Sequence, residues 1–545
     1  MARTTEGAAE TVFAGQRAAE GLAVGRLLVE RAAAAEVARA AASPAEEGRA
    51  FEQALERARG QIAALVETAD ALGAEILEFQ EALLEDDELL DPVRAAIDAG
   101  QSAAAAWIGH LDGEIETYRA GDDEYLSARA EDLADLQQRV LRALVAAGEA
   151  AGGETQPEGA ILVSADLTPS RFLELDWSRL AGAAIAGGSP TSHVSILARA
   201  RGVPLIVGLE ADPALLPAGR LAVLDAEAAR LIVEPSSATL DAVETRLARR
   251  AEESSVIAEL IGRPARTAAG ETVELLINVD EPGLLDSLSP ESCDGIGLAR
   301  TEFLFHGGRL PDEEAQRAVY RRLLDWAGGR PVTIRTLDAG GDKPIPGVTP
   351  EDEANPFLGV RGLRLSLRHP ELLRVQLRAL ARAGADRPLK VMVPMVTAPA
   401  EFERARALFD AVLRELADEG LEHGRPPLGM MVEVPAAALT AERFACDFYS
   451  IGSNDLVQYT TACARDNPAL AELADPASPA VVELIARTVA AAGRRGVEAS
   501  LCGDMASDPR LVPVLLECGL RRLSVAPAQV GRVKLAIRRY GGAPE

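Results

Sequence analysis

A multidomain α/β chain with an eight-stranded β/α barrel in its second half is the fold class that this sequence predicts. Three observations carry the prediction. The chain has 545 residues, 48% of them apolar, which is too long for one ordinary domain and ample for several cores. Apolar residues between about 31 and 145 recur in steps of three and four, the period of packed helices. From residue 271 onward, eight strand-like runs alternate with helical patterns, the number that such a barrel requires.

The first thirty residues read as strand-like and end in "GLAVGRLLVE". Ser43-Pro44-Ala45-Glu46 then has the form of a helix start: a serine cap, proline at the first position, and a glutamate placed to close a capping box. Behind it Phe51, Leu55, Ala58, Ile62, Leu65, Ala69, Leu72, Ile76, Phe79 and Leu83 form a heptad seam, which predicts one long helix packed side by side with others. "EDDELLDP" breaks it. Val93 and Ile97, then Trp107, Leu111, Ile115 and Tyr118, then Leu126, Leu133, Leu136, Val140 and Leu144 continue a small helical bundle. "AAGEAAGGETQPEG" is a linker by composition. Short apolar runs between turns follow ("AILVSAD", "GAAIAGG", "PLIVGL", "RLAVLDA", "ARLIVEP") and predict a compact α/β domain, with a charged helix over about 237–262 behind it.

The eight later runs are "VELLINV", "GIGLART", "VTIRTLD", "KVMVPMV", "LGMMVEV", "DFYSIGS", "EASLCGD" and "RLSVAPA". A doubly wound open sheet is the alternative arrangement. The count of eight and the position of the polar residues favour the barrel, whose sites lie at the carboxyl ends of its strands. Those ends carry Asn278, Arg300-Thr301-Glu302, Arg335, Asp338, Glu433, Ser453-Asn454-Asp455 and Cys502-Gly503-Asp504, with Arg465 shortly after the sixth strand. Guanidinium groups suit phosphate through paired hydrogen bonds. Two carboxylates that leave positions for water and substrate oxygens suit magnesium. Together they predict Mg²⁺-assisted chemistry on a small phosphorylated acid.

One histidine stands apart. His193, in "AGGSPTSHVSILARARGVPLIVG", follows a Gly-Gly turn and opens a helix capped by Thr191 or Ser192. On a separate domain and beside a flexible turn, it could reach the barrel mouth and accept a phosphoryl group. A helix N-terminus favours the neutral, nucleophilic ring and then the attached phosphate. His110, His306, His369 and His423 read as structural or exposed, with His306 near the barrel mouth. The net charge of −28 disfavours nucleic acid and favours a basic protein partner. Five widely spaced cysteines without a CxxC pair, no evident secretory signal and no long apolar run point to a cytoplasmic protein that does not insert in a membrane.

Over nearly its whole length the chain resembles the Enzyme I family of the phosphoenolpyruvate-dependent phosphotransferase system. The resemblance is carried by "ADLTPS", "GG…TSH", "GIGLARTEFLF", "IRTLDAGGDKP", "NPFLGVRGLR", "VMVPMV", "MVEVP", "IGSNDLVQYT" and "LCGDMASD", in order. It implies that phosphoenolpyruvate phosphorylates His193, that pyruvate leaves, and that the phosphoryl group passes to the small histidine carrier HPr. Residue by residue, the family's pattern makes His193 the phosphorylated histidine and gives phosphoenolpyruvate to Arg300, Arg335, Arg465, Asn454 and Asp455. Glu433 and Asp455 match the Mg²⁺ ligands. Cys502 matches the cysteine that protonates the methylene carbon of the enolate. The resemblance further implies a phosphohistidine domain (1–30 and 146–236) into which an HPr-binding helical subdomain (31–145) is inserted. A linker helix (237–262) and a phosphoenolpyruvate-binding barrel (263–545), through which the family forms a homodimer, complete it.

The chain departs from the family pattern at Ser189, which lengthens the histidine segment, at Ala19-Glu20-Gly21, at Ala464, and at Asp504-Met505-Ala506-Ser507-Asp508. None of these removes a group with an assigned role. Two other readings share the same parts: a pyruvate phosphate dikinase or phosphoenolpyruvate synthase, and a non-catalytic regulatory paralogue. The first needs a nucleotide-binding portion, and the segment before the histidine domain has no glycine-rich phosphate loop. The second predicts loss of Glu433, Asp455, Cys502 or an arginine, and all are present.

Overall fold

The structure, a computed structural model, describes residues 10–30, 42–66, 71–119, 124–145, 157–190, 192–305, 310–341, 343–350, 353–465, 467–470 and 472–542. It divides into two compact units, Met1–Arg250 and Ala251–Glu545.

The front unit is built on an eight-stranded sheet: β1 (Thr11–Ala14), β2 (Gln16–Ala19), β3 (Leu22–Val29), β4 (Ala160–Ser164), β5 (Leu180–Ile185), β6 (Leu205–Val207), β7 (Leu221–Asp225) and β8 (Arg230–Val233). Their spatial order is β1-β8-β7-β3-β4-β5-β6-β2. The β3–β4, β4–β5 and β5–β6 pairs are parallel and the rest antiparallel. The strands of its centre are buried on both faces, so they read as unbroken apolar runs.

Between β3 and β4 the chain makes five helices: α1 (Pro44–Val66), α2 (Ala71–Leu84), α3 (Asp87–Asp98), α4 (Ala103–Arg119) and α5 (Glu124–Val145). The predicted start holds: α1 opens at Pro44, and Glu46 Oε2 accepts from the Ser43 backbone N–H at 3.1 Å. The single long helix is corrected to two. Phe51, Leu55, Ala58 and Ile62 are buried as the seam requires, but α2 buries Leu77, Gln80 and Leu84 while Phe79 and Leu83 are half-buried. The two helices pack against each other rather than continuing one seam, and the buried Gln80 is held by donating to Asp135 Oδ2 at 2.9 Å. Ala69 and the side chains of Leu72, Ile76 and Leu126 lie outside the described residues, as does most of the predicted linker. Asp135 on α5 also accepts from Ser170 N (2.8 Å) and Ser170 Oγ (2.5 Å) on α6 (Pro169–Glu174), which ties bundle to sheet.

α7 (His193–Arg201) follows β5, and α8 (Ser237–Leu260) follows β8. The boundary between the two units falls inside α8. No helix among the described residues is long and apolar enough to cross a membrane.

The second unit contains a closed barrel of parallel strands: β9 (Glu274–Val279), β10 (Ile296–Ala299), β11 (Val332–Arg335), β12 (Leu389–Val393), β13 (Leu428–Val432), β14 (Phe448–Gly452), β15 (Glu498–Cys502) and β16 (Arg522–Val525). β16 pairs with β9, which closes the ring and excludes the open-sheet alternative. All eight predicted runs are strands. Leu298, Met392, Met431, Phe448 and Cys502 form one apolar cluster of buried residues, while a far larger core lies among strands and surrounding helices.

Candidate active site

Parallel closure brings the carboxyl ends of all eight strands to one rim, and Glu302, Arg335, Asp338 and Asp455 of the polar residues predicted there gather in a buried charge network. Arg335, the last residue of β11, is 5% exposed. It donates through Nη2 to Glu302 Oε1 (3.1 Å) and pairs through Nη1 with Asp338 Oδ2 (3.1 Å). Glu302 Oε1 also accepts from Asp338 N at 2.9 Å. Arg361 donates through Nη2 to Asp338 Oδ2 (3.0 Å) and through Nη1 to Asp455 Oδ1 (3.4 Å) and Tyr459 OH (3.3 Å). Burial would raise the Asp338 carboxyl, but Arg335 and Arg361 together hold it below the ordinary range. The same carboxylates push the Arg335 guanidinium above its usual value despite burial.

Glu433 follows β13 and is 1% exposed. Its Oε1 accepts from Met395 N at 2.6 Å, and Met395 itself adopts a left-handed backbone (φ 55°) to present that N–H. Burial, then the charges of Asp455 and Asp338, push the Glu433 carboxyl up to about 8. Like charges held this close are relieved by a cation, and an all-oxygen pair is the donor set that a hard divalent ion prefers. Glu433 and Asp455 therefore fit a magnesium site. Among the described residues no group of three His, Cys, Asp or Glu side chains converges on a metal position.

Cys502 ends β15 and is 1% exposed. Burial pushes its thiol up to about 11, against the opposing contact with the Ser450 hydroxyl at 3.7 Å. It is thus a protonated acid at neutral pH. Asn454, in the helix Ser453–Thr461 after β14, donates through Nδ2 to Asp504 Oδ2 (3.0 Å) and accepts from Asp504 N (2.8 Å). Arg300, just past β10, pairs with Asp280 at 3.0 Å.

Arg465 is not brought into this network: it is exposed and makes no hydrogen bond or ion pair among the described residues. His306 lies outside them. Arg361 and Tyr459 belong to the network yet are absent from the strand-end reading. Both sit on segments between strands, so that rule cannot find them; only the quoted "NPFLGVRGLR" and "SNDLVQYT" contain them.

In the front unit, His193 is the first residue of α7. Ser192 is the cap, its Oγ accepting from Ser195 N at 3.4 Å; Thr191 lies outside the described residues. Ser195 Oγ donates to Ser189 O (2.7 Å) and Arg199 Nη1 to Pro190 O (2.8 Å), so the helix holds the turn that precedes it. The His193 side chain is 26% exposed, with Nδ1 4.0 Å from Asp132 Oδ1 on α5. Nothing in the sequence around Asp132 distinguishes it from other helical acids.

Comparison with known proteins matches three segments of the chain. Residues 14–129 match the family described as PEP-utilising enzyme, N-terminal, residues 156–229 the mobile domain of such enzymes, and residues 255–541 their PEP-binding domain. A phosphoenolpyruvate-protein phosphotransferase of Bacillus sp. (strain S) is 36% identical over 494 residues, covering 88% of this chain and 84% of that one. One of Haloferax volcanii is 37% identical, covering 89% and 86%. A multiphosphoryl transfer protein of Rhodobacter capsulatus is 38% identical over 86% of this chain, which spans 57% of that longer protein. A solved structure described as the N-terminal domain of Enzyme 1 - Nitrogen matches with a TM-score of 0.33 and 28% identity, covering 43% of this chain and 99% of that one. An identity of 36% over 494 residues, with 88% of this chain and 84% of the Bacillus relative covered, leaves one conclusion: the chain belongs to the phosphoenolpyruvate-protein phosphotransferases, enzymes that move a phosphoryl group from phosphoenolpyruvate to protein.

Proposed function

We propose that His193 is the residue phosphorylated by phosphoenolpyruvate, that the substrate binds at the carboxyl rim of the barrel, and that the phosphoryl group passes on to HPr or a similar histidine carrier. The observation that carries this reading is the gathering of Arg335, Glu433, Asp455 and Cys502 at the rim of one closed barrel. Arg300 and Arg335 hold the phosphate and carboxylate, with Asn454 at the phosphate. Arg465 is retained as a substrate ligand only if the loop that carries it closes on the bound anion.

Glu433 and Asp455 would hold Mg²⁺, which would supply electrostatic stabilisation of the charge that develops in the transfer. His193 attacks phosphorus through a ring nitrogen. The bond from phosphorus to the enol oxygen breaks and its electron pair stays on that oxygen. The enolate then takes the Cys502 proton at its methylene carbon, giving pyruvate; solvent restores the thiol. The imidazole must come within bonding distance of the substrate and, separately, of the carrier. The phosphohistidine part (1–30 and 146–236), HPr-binding bundle (31–145), linker helix (237–262) and dimeric barrel (263–545) are the corresponding division of labour, in the cytoplasm.

The test is labelling of the full chain with ³²P-phosphoenolpyruvate. Acid-labile label, loss of it in His193→Ala and with a chelator of Mg²⁺, and transfer to HPr are expected. Label on another histidine, or labelling that requires ATP as a dikinase would, overturns the reading.

A further inference from the structure

We infer that Asp280 is a built-in competitor for the substrate: its carboxylate occupies Arg300 until an incoming anion displaces it. This rests on the reading of Arg300 as a phosphoenolpyruvate ligand. Strand register creates the contact. β9 and β10 are parallel neighbours with Val279 opposite Ala299, and Arg300 N donates to Val279 O at 3.0 Å. The next residues on the two strands, Asp280 and Arg300, are thereby set side by side at the rim, and Arg300 Nη1 meets Asp280 Oδ1 at 3.0 Å.

Arg300 differs from the other two rim arginines in what holds it. Arg335 and Arg361 are buried between buried carboxylates. The Arg300 side chain is one-third exposed, and its partner Asp280 is 63% exposed, so water can replace that partner at little cost. Its Nε is buried with no hydrogen-bond partner among the described residues, which leaves the guanidinium fork incompletely satisfied. Its charge also reaches Cys502, where it opposes the upward shift of the thiol, so the group lies within electrostatic range of the buried acid. An arginine with one donor free and another lent to an exposed carboxylate is primed for exchange. A phosphate or carboxylate of phosphoenolpyruvate takes over Nη1, and Asp280 turns to solvent. Asp280 then sets how much substrate is needed before the site fills, and it opposes filling by weakly held anions.

The test is calorimetric titration of the full chain carrying His193→Ala, with phosphoenolpyruvate and Mg²⁺ at low salt. Asp280→Asn in that background should lower Kd about two- to fivefold, the range an exposed ion pair can carry, and the gain should shrink as salt rises. With His193 intact, the change should fall in KM rather than kcat. An unchanged or higher Kd overturns the proposal. So does a gain that persists in Arg300→Gln/Asp280→Asn relative to Arg300→Gln, since Asp280 would then be acting by general repulsion and not through Arg300. If Arg300→Gln alone binds as tightly as its parent, Arg300 is not a substrate ligand and it is the underlying reading that fails.

Discussion

His193 Nδ1 lies 4.0 Å from Asp132 Oδ1, so a carboxylate from the helical bundle faces the imidazole at the start of α7. The distance is too long for a hydrogen bond and short enough for charge to act. The Nδ1 edge of the ring faces the acid, so Nε2 is the nitrogen proposed to attack phosphorus. In the proposed reaction the ring gains phosphorus and positive charge, which Asp132 would stabilise. At 4 Å two unit charges are worth ~1 kcal/mol even in bulk water. Asp132→Asn should therefore slow phosphorylation of His193 at least about fivefold, with substrate binding unchanged. Rapid-quench labelling at saturating phosphoenolpyruvate measures it; an unchanged rate would show that the carboxylate only helps to pack the ring.

Gly503 makes the loop after Cys502 possible. Its φ is 96°, and a Cβ there would fall 2.4 Å from Ser453 Oγ and 2.5 Å from Asn454 Oδ1. Both strain and collision bear on the side chain that pairs with Asp504. Gly503→Ala should cost the barrel about 1–3 kcal/mol and displace Asn454, raising KM for phosphoenolpyruvate. Denaturant titration and steady-state kinetics read the two effects; a native stability in this variant would mean that the loop tolerates another backbone conformation.

These contacts mark where the sequence is legible. Period alone yields every strand of the barrel and most of the bundle, because each strand between Glu274 and Val525 is a short apolar run with turn residues around it. The strand-end rule finds Arg300, Arg335, Glu433, Asn454, Asp455 and Cys502. It cannot find Arg361, whose place beside Asp338 and Asp455 is set by a long segment between β11 and β12 that folds back over the rim. Nor can it find Asp132, which becomes significant only when the bundle packs against α7. The heptad seam misleads over α2 for a related reason: α2 packs against α1 as a separate helix, and period reading assumes one continuous helix.

The first half of α8 is tied to the sheet, through Arg246, by a carboxylate whose strength depends on pH. Asp225, at the end of β7 and 1% exposed, accepts from Arg246 at 2.8 and 3.3 Å, from Arg230 at 3.3 Å and from Ala228 N at 3.2 Å. Burial would raise its carboxyl, but these partners hold it below the ordinary range. A carboxyl lowered on folding stabilises the fold above its unfolded value, and that contribution is lost as pH falls through the folded one. Asp225→Asn should cost the front unit about 1–2 kcal/mol at neutral pH, discounted for half-exposed arginines. The gap should stay constant down to about pH 4 and close below it. Urea unfolding followed by tryptophan fluorescence in a Trp326→Phe background reports this unit; a gap that widens in acid would reverse the sign of the argument.

Arg361 is 3% exposed and stands between two carboxylates, Asp338 and Asp455, each itself nearly buried. Removing it leaves Asp338 with Arg335 as its one ion-pair partner among the described residues and Asp455 with none, inside a rim where Glu433 already resists ionisation. Breaking a buried pair by deleting one partner typically costs about 3–5 kcal/mol, because the surviving charge stays desolvated. Arg361→Met should lower barrel stability by that amount and abolish phosphoenolpyruvate binding. Arg361→Lys separates the two effects. Its ammonium returns the charge and with it part of the stability, but a point charge cannot bridge both carboxylates and Tyr459 as the planar fork does. Binding should therefore stay weak in the lysine variant while its unfolding midpoint recovers. Scanning calorimetry and substrate titration of both variants decide it: full binding in Arg361→Lys would show that the rim needs a charge at this position and not the geometry of a guanidinium.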